Sequence, residues 1–180
     1  YGIKKPYILQ VGTLEERKNA VLTLQAFSKS NLKEDFELVL VGNKTPYCEK
    51  LYNFARKENL LDKIKFVHGA EFKDFPLLYQ GATLAVYPSF FEGFGIPILE
   101  ALYSKTPIIT SQNGCFKEVG GEAATYIDPY NADDLCKKME IIAGSNFVRQ
   151  ELRNLGTTQI EKFWAPALIA RLQSIYAEIV

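Results

Sequence analysis

The sequence predicts an α/β fold: a Rossmann-like, doubly wound parallel sheet of about six strands with helices on both faces. Three observations predict it. Short apolar runs at 7–12, 36–42, 64–67, 83–87, 107–110 and 124–127 alternate with longer stretches of helical spacing, the pattern of a parallel sheet covered on both sides, and right-handed crossovers wind it in both directions. Gly12, Gly42, His68, Ser89 and Ser111 all fall at the carboxyl ends of these runs, the edge at which such sheets take ligands. A chain of 180 residues that is 47% hydrophobic is large enough for one domain with its own core.

Tyr7-Ile8-Leu9-Gln10-Val11-Gly12 is apolar and ends in Gly, so it reads as the first strand. The polar stretch Thr13–Asn19 reads as a loop, with Asn19 placed to cap a helix that carries Val21, Leu22, Leu24, Ala26 and Phe27. Phe36–Gly42 is the second strand. Tyr47–Asn59 is an amphipathic helix with Leu51, Phe54 and Ala55 inward, and Ile64–Val67 is the third strand. A short helix around Phe75–Gln80 precedes the fourth strand, Thr83–Tyr87. After a helix opened by Pro97 come the fifth strand, Pro107–Thr110, a loop over Ser111–Gly121 with the turn signals Asn113-Gly114 and Gly120-Gly121, and the sixth strand, Ala124–Ile127. Asn131 caps a helix reaching about Ala143, and Asp133 and Asp134 in its first turn suit the helix dipole. From about 145 to 180 the chain reads as helical, with breaks near Gly156 and Pro166.

Composition narrows the function. Lys plus Arg and Asp plus Glu number 21 each, a net charge of zero, which argues against a nucleic-acid partner. No run of about 18 apolar residues is present to span a bilayer. Cys48, Cys115 and Cys136 are widely spaced and odd in number, which fits reduced thiols in the cytoplasm better than disulfides or zinc. The chain opens on Tyr1 and its one Met is Met139, so it reads as part of a longer polypeptide.

The stretch Ser89–Ser104 organises the chemistry. A strand leads into Glu92, then Gly93-Phe94-Gly95, then a helix with Pro97 at its start, where proline is tolerated because a first-turn N–H has no intrahelical partner. Strand, glycine loop and helix N-terminus together present free amides to an anion, with Glu92 and Glu100 on either side.

Glu92-Gly93-Phe94-Gly95-Ile96-Pro97 followed by Glu100-Ala101 resembles the signature of the retaining glycosyltransferases of family 4 (group 1), which have the GT-B fold. The embedding, Tyr-Pro-Ser before it and the Glu-x7-Glu spacing within it, makes the match specific. Val11–Asn19 resembles the family's first glycine loop and its basic residue, Gly120–Ala124 with Asp128-Pro129 the loop and strand after the motif, and Phe163-Trp164 the aromatic pair before the terminal helix.

The resemblance covers nearly the whole chain but only one half of such an enzyme. It implies that residues 1–180 are the single donor-binding domain, with C-terminal helices from about 145, and that the N-terminal acceptor domain is absent from this chain. It implies catalytic roles for Glu92, Lys18 and Arg17, and donor binding by Gly12, Thr13, Gly93, Phe94, Gly95, Ile96 and Glu100, with Glu92 approaching the sugar and Glu100 taking the ribose hydroxyls. The family often has Arg where this chain has Thr13; either Arg17 covers that charge or the phosphate grip is weaker. No Asp-x-Asp occurs, so no metal is indicated. The expected partner is a nucleotide-diphosphate sugar, a GDP-sugar such as GDP-mannose first and UDP-sugars next, with no further cofactor. Membrane contact, peripheral on the inner face, is expected only through the full-length protein. The alternative is a non-catalytic nucleotide-binding or interaction module of the same fold.

Plainer readings stand beside these. His68 reads as a strand-end structural residue before it reads as a base. Ser89 and Ser111 suit turn caps, Glu118 lies near the ligand edge, and Gly120-Gly121 suits a tight turn. The stripe Trp164, Leu168, Leu172, Ile175 and Ile179 reads as packing, part of it facing the missing domain.

Overall fold

A computed structural model describes residues 1–179; Val180, the end of the expected terminal helix, lies outside them. Six strands form one sheet: β1 (Tyr7–Val11), β2 (Glu37–Val41), β3 (Ile64–Val67), β4 (Leu84–Tyr87), β5 (Ile108–Ser111) and β6 (Ala124–Ile127). Their spatial order is β3-β2-β1-β4-β5-β6, and every pairing is parallel. The helices are α1 (Ala20–Lys29), α2 (Cys48–Lys57), α3 (Phe75–Gly81), α4 (Ile96–Tyr103), α5 (Phe116–Gly120), α6 (Ala132–Gly144), α7 (Asn146–Glu161) and α8 (Ala165–Ile179).

Alternation along the strands sends successive side chains to opposite faces. Ile8, Leu38, Leu40, Leu84, Val86 and Ile109 pack with Leu24 and Phe27 of α1, Leu51 of α2 and Met139 of α6. Leu9, Val39, Val41, Ala85 and Ile108 pack on the other face with Leu78 of α3, Ile98 and Leu102 of α4, Phe116 of α5 and Ile160 of α7. The chain leaves β1 for β2 and β3 and returns to β4, so the winding reverses between β1 and β4. A crevice opens at such a reversal, beyond the carboxyl ends of the strands.

Five expectations need correction. The loop 111–121 contains α5. Asn19 holds the residue before α1 at φ 54° but makes no side-chain cap; its amide bridges the carbonyls of Pro88 (3.1 Å) and Pro129 (2.8 Å) instead. Gly156 does not break the helix: α7 runs through it, because the missing side chain lets α7 approach α4, where a Cβ would stand 3.2 Å from a methyl of Leu102. The break expected at Pro166 falls just before it, at residues 162–164, and Pro166 sits in the first turn of α8, where its ring is tolerated. The terminal stripe is not packed among the described residues: α8 buries none of its side chains.

Candidate functional site

Two loops meet where the winding reverses. After β1, Gly12 takes φ +142° and is followed by a 3-10 turn over Glu16–Lys18. After β4 the chain runs through Pro88–Gly95 into α4. The Phe90 N–H donates to the Arg17 carbonyl (3.0 Å) and Asn19 holds Pro88, so the two loops are tied together by backbone and amide bonds. The Lys18 stem runs across Gly12 toward the second loop.

That meeting produces a compact charge cluster. Lys18 Nζ donates to Glu92 Oε1 at 2.7 Å and to the Tyr87 hydroxyl at 2.9 Å. Arg17 pairs with the other oxygen of Glu92, with Glu15 at 2.7 Å and with the Phe91 carbonyl at 3.2 Å. The side chains of Lys18 and Glu92 are only 12% and 11% exposed, so this is no solvated surface pair of negligible worth. Burial pushes the Glu92 carboxyl up, but hydrogen bonds from Lys18, Arg17 and Tyr87 outweigh it and hold the group below the usual glutamate value. The Glu92 partnership in turn raises Arg17.

α4 begins immediately beyond. Gly95 precedes it at φ +103°, a conformation that favours glycine, and Pro97 lies in its first turn. The amides of Gly93, Phe94, Gly95 and Ile96 donate to no protein acceptor among the described residues; those of Gly95 and Ile96 belong to the unpaired N–H groups that open a helix. One turn on, Glu100 Oε2 accepts from the Tyr79 hydroxyl at 3.0 Å, while Oε1 has no such partner among the described residues. Burial pushes Tyr79 well up, and the Glu100 charge adds to it, so Tyr79 stays protonated and donates. A groove of about 350 Å³, lined by Phe72, Phe75, Tyr79, Leu99, Glu100 and Tyr103, runs alongside. A larger, more open depression of about 600 Å³ lies around Lys29, Tyr130 and Asp133 and holds none of the clustered groups.

The structure therefore brings Arg17, Lys18 and Glu92 into one cluster beside Gly12; Gly93, Phe94, Gly95 and Ile96 lead on from Glu92 into α4, which carries Glu100 one turn further. Thr13 lies beside Gly12, and its carbonyl accepts from the Glu15 N–H at 2.9 Å. Neither carboxylate is the open acceptor that spacing alone suggests: both oxygens of Glu92 are held by cations, and one of Glu100 by Tyr79. Tyr79 and Tyr87 escaped the sequence reading, because in sequence they are apolar-run and short-helix residues with nothing to reveal where a hydroxyl ends. Cys115 was read only as a reduced thiol; its Sγ donates to the Glu92 carbonyl at 3.3 Å.

The plainer readings resolve individually. His68 Nδ1 lies 2.8 Å from the Gly42 carbonyl and Nε2 3.1 Å from the Tyr52 hydroxyl. A carbonyl only accepts, so Nδ1 carries the proton and the ring is a brace between strand ends. Ser111 Oγ donates to the Ser89 carbonyl at 2.6 Å and ties β5 to β4. Ser89 is fully buried, and its own Oγ has no partner among the described residues. The Glu118 carbonyl receives Gln159 of α7, and no described contact links its carboxylate to the cluster. Among the described residues, no three His, Cys, Asp or Glu side chains gather as a metal site requires.

Residues 2–158 match the family described as glycosyl transferases, group 1. The chain belongs to this family. It is 36% identical over 128 residues to the O-antigen chain mannosyltransferase RfbU of Salmonella typhimurium, covering 70% of this chain and 35% of that protein. The C-terminal domain of the group 1 glycosyltransferase LpcC from Francisella tularensis superposes with a TM-score of 0.78 at 23% identity, over 87% of this chain and 85% of that one. Anabaena HepE in complex with UDP-glucose superposes with a TM-score of 0.84 at 16% identity, over 97% of this chain and 49% of HepE. This group 1 chain thus has the architecture of one half of a GT-B enzyme, and it spans about a third of the length of the curated relatives it matches.

Proposed function

We propose that this chain is the donor-binding half of a retaining, metal-independent hexosyltransferase that builds a glycan or glycoconjugate, with the acceptor site on the remainder of the polypeptide. The observation that carries the reading is the cluster of Arg17, Lys18 and Glu92, followed directly in the chain by four amides without a protein acceptor on the way into α4. A nucleotide-diphosphate sugar brings two negative charges close to the bond that breaks. More charge gathers on the leaving phosphate as the sugar becomes oxocarbenium-like. Lys18 and Arg17 meet that charge directly, and the amides of Gly95 and Ile96 add hydrogen bonds at a helix N-terminus. Removing one such preorganised donor costs roughly 3 kcal/mol of transition-state stabilisation.

Glu100 Oε1 is the acceptor for a ribose hydroxyl, with Tyr79 steadying the other oxygen. Glu92 releases its cations to the diphosphate and turns its oxygens to the sugar hydroxyls. Gly93 carries no Cβ, so its backbone can come close to the sugar, and the space beside it is open. A mannose donor is supported by the first loop and by the relative RfbU, a mannosyltransferase; a UDP-sugar is supported by the ligand of HepE.

Calorimetric titration of the full-length protein with GDP and UDP tests the reading. One of the two is expected to bind, and Lys18→Met or Glu100→Ala to weaken it by about tenfold or more, the worth of a hydrogen bond to a charged group. Absence of binding to either nucleotide favours the non-catalytic module. The chain alone is expected to transfer no sugar; transfer by the isolated chain overturns the two-half reading.

A further inference from the structure

Tyr87 closes β4 and is 1% exposed, so it passes for an ordinary core aromatic. Its surroundings say more. The ring is clamped edge-on by Phe116, with centroids 6.1 Å apart and planes at 87°. Its backbone is pinned by Thr110, whose hydroxyl donates to the Tyr87 carbonyl at 2.9 Å. The one polar atom of this fixed side chain accepts from Lys18 Nζ at 2.9 Å, and the same ammonium lies 5.0 Å from the ring centroid, within cation–π range.

Lysine is a point charge on a flexible four-carbon stem, and holding it still costs up to about 2 kcal/mol of side-chain entropy. Two groups hold it here, Glu92 and Tyr87. They differ in kind. Glu92 is an anion, and an arriving diphosphate competes with it for the same ammonium. Tyr87 is neutral: burial above all, then the neighbouring Glu92 charge, pushes its phenol far up, so it does not ionise near neutral pH and offers a lone pair rather than a charge. A phosphate therefore displaces the first partner and not the second.

We propose that Tyr87 is a positioning residue that holds the Lys18 ammonium against the leaving phosphate of the donor, whether Glu92 or the diphosphate occupies the ammonium's other side. This rests on the donor-site reading above, and it adds a strand residue outside the glycine loop and the two carboxylates to the machinery of that site.

The test is a double-mutant cycle in the full-length enzyme: Tyr87→Phe, Lys18→Met and the pair, each followed by kcat and KM for the nucleotide sugar. Phe keeps the ring and its contact with Phe116, so melting curves that overlay the parent verify the fold. Tyr87→Phe is expected to lower kcat by about tenfold, the loss of one hydrogen bond to a charged group, with little change in KM. In the Lys18→Met background the same change is expected to cost less than about twofold, because coupled sites are not additive. Effects that multiply, or a Tyr87→Phe enzyme with unchanged kcat, overturn the proposal. Should Tyr87→Phe prove unstable, the Lys18-dependence of kcat in a Thr110→Val variant, which frees the strand end holding Tyr87, serves instead: a lower kcat with Lys18 present and no further loss with Lys18→Met supports the proposal, and an unchanged kcat or an equal loss in both overturns it. Lys18→Met with intact turnover and binding overturns the donor-site reading itself, a distinct outcome.

Discussion

Glu92 answers to two cations, and that sharing gives the site a pH signature. Its folded carboxyl titrates below the ordinary glutamate value of 4.5. Between the folded value and 4.5 the unfolded chain binds more protons than the folded one, so stability rises with pH there. The contribution is complete above 4.5 and is lost as pH falls through the folded value. Glu92→Gln should therefore lower stability at pH 7 by about 1–3 kcal/mol, a charged hydrogen-bond partner removed from a mostly desolvated pair. The difference should shrink as pH falls through the folded value of Glu92. Urea unfolding of both forms across pH 3–7 checks this; a constant difference at every pH would mean the ion pair is not the cause. Arg17, Lys18 and Glu92 were each visible in the sequence as candidates. That they neutralise one another was not, because Lys18 and Glu92 stand 74 positions apart and meet only through the pairing of β1 with β4.

Helices were legible where apolar periodicity ran unbroken, as in α1, α2 and α6, and misread where one residue carried a second duty. Gly156 has the composition of a helix break, yet α7 continues because α4 packs into the space where its side chain would be. Opposite substitutions separate the two effects. Gly156→Ala gains about 1 kcal/mol of helix propensity and loses part of it to the contact at Leu102. Gly156→Val gains less and overpacks a buried methyl, so it should destabilise by about 1–3 kcal/mol, read as a fall in the urea midpoint. A Val variant as stable as the parent would show that α7 and α4 are not in close contact. α5 was missed because five residues are too short a span for periodicity to register. Asn19 was misread because its side chain serves two distant carbonyls, which no local rule reports.

Across the whole molecule the balance of exposed surface points to α8. Trp164, Leu168, Leu172, Ile175 and Ile179 remain 44–75% exposed, while no helix of the described residues is long and apolar enough to cross a membrane. Removing residues 165–180 should leave the unfolding free energy of the sheet within about 0.5 kcal/mol of the parent, the usual range for changes that touch no packed group, as urea unfolding of the two forms would show. A large loss of stability would mean that α8 packs more tightly than these exposures allow.

Alternating apolar runs, glycines at strand ends and a proline-opened helix were enough to specify the wound sheet, the edge at the carboxyl ends of its strands and the motif that lies there, because those features are written in spacings of two to eight residues. Which side chains share a hydrogen bond was not written there. Lys18 with Glu92 and Tyr87, and Glu100 with Tyr79, depend on which strands and helices become neighbours, and that is set by burying two apolar faces at once, a property of the assembled sheet that no local stretch of chain possesses.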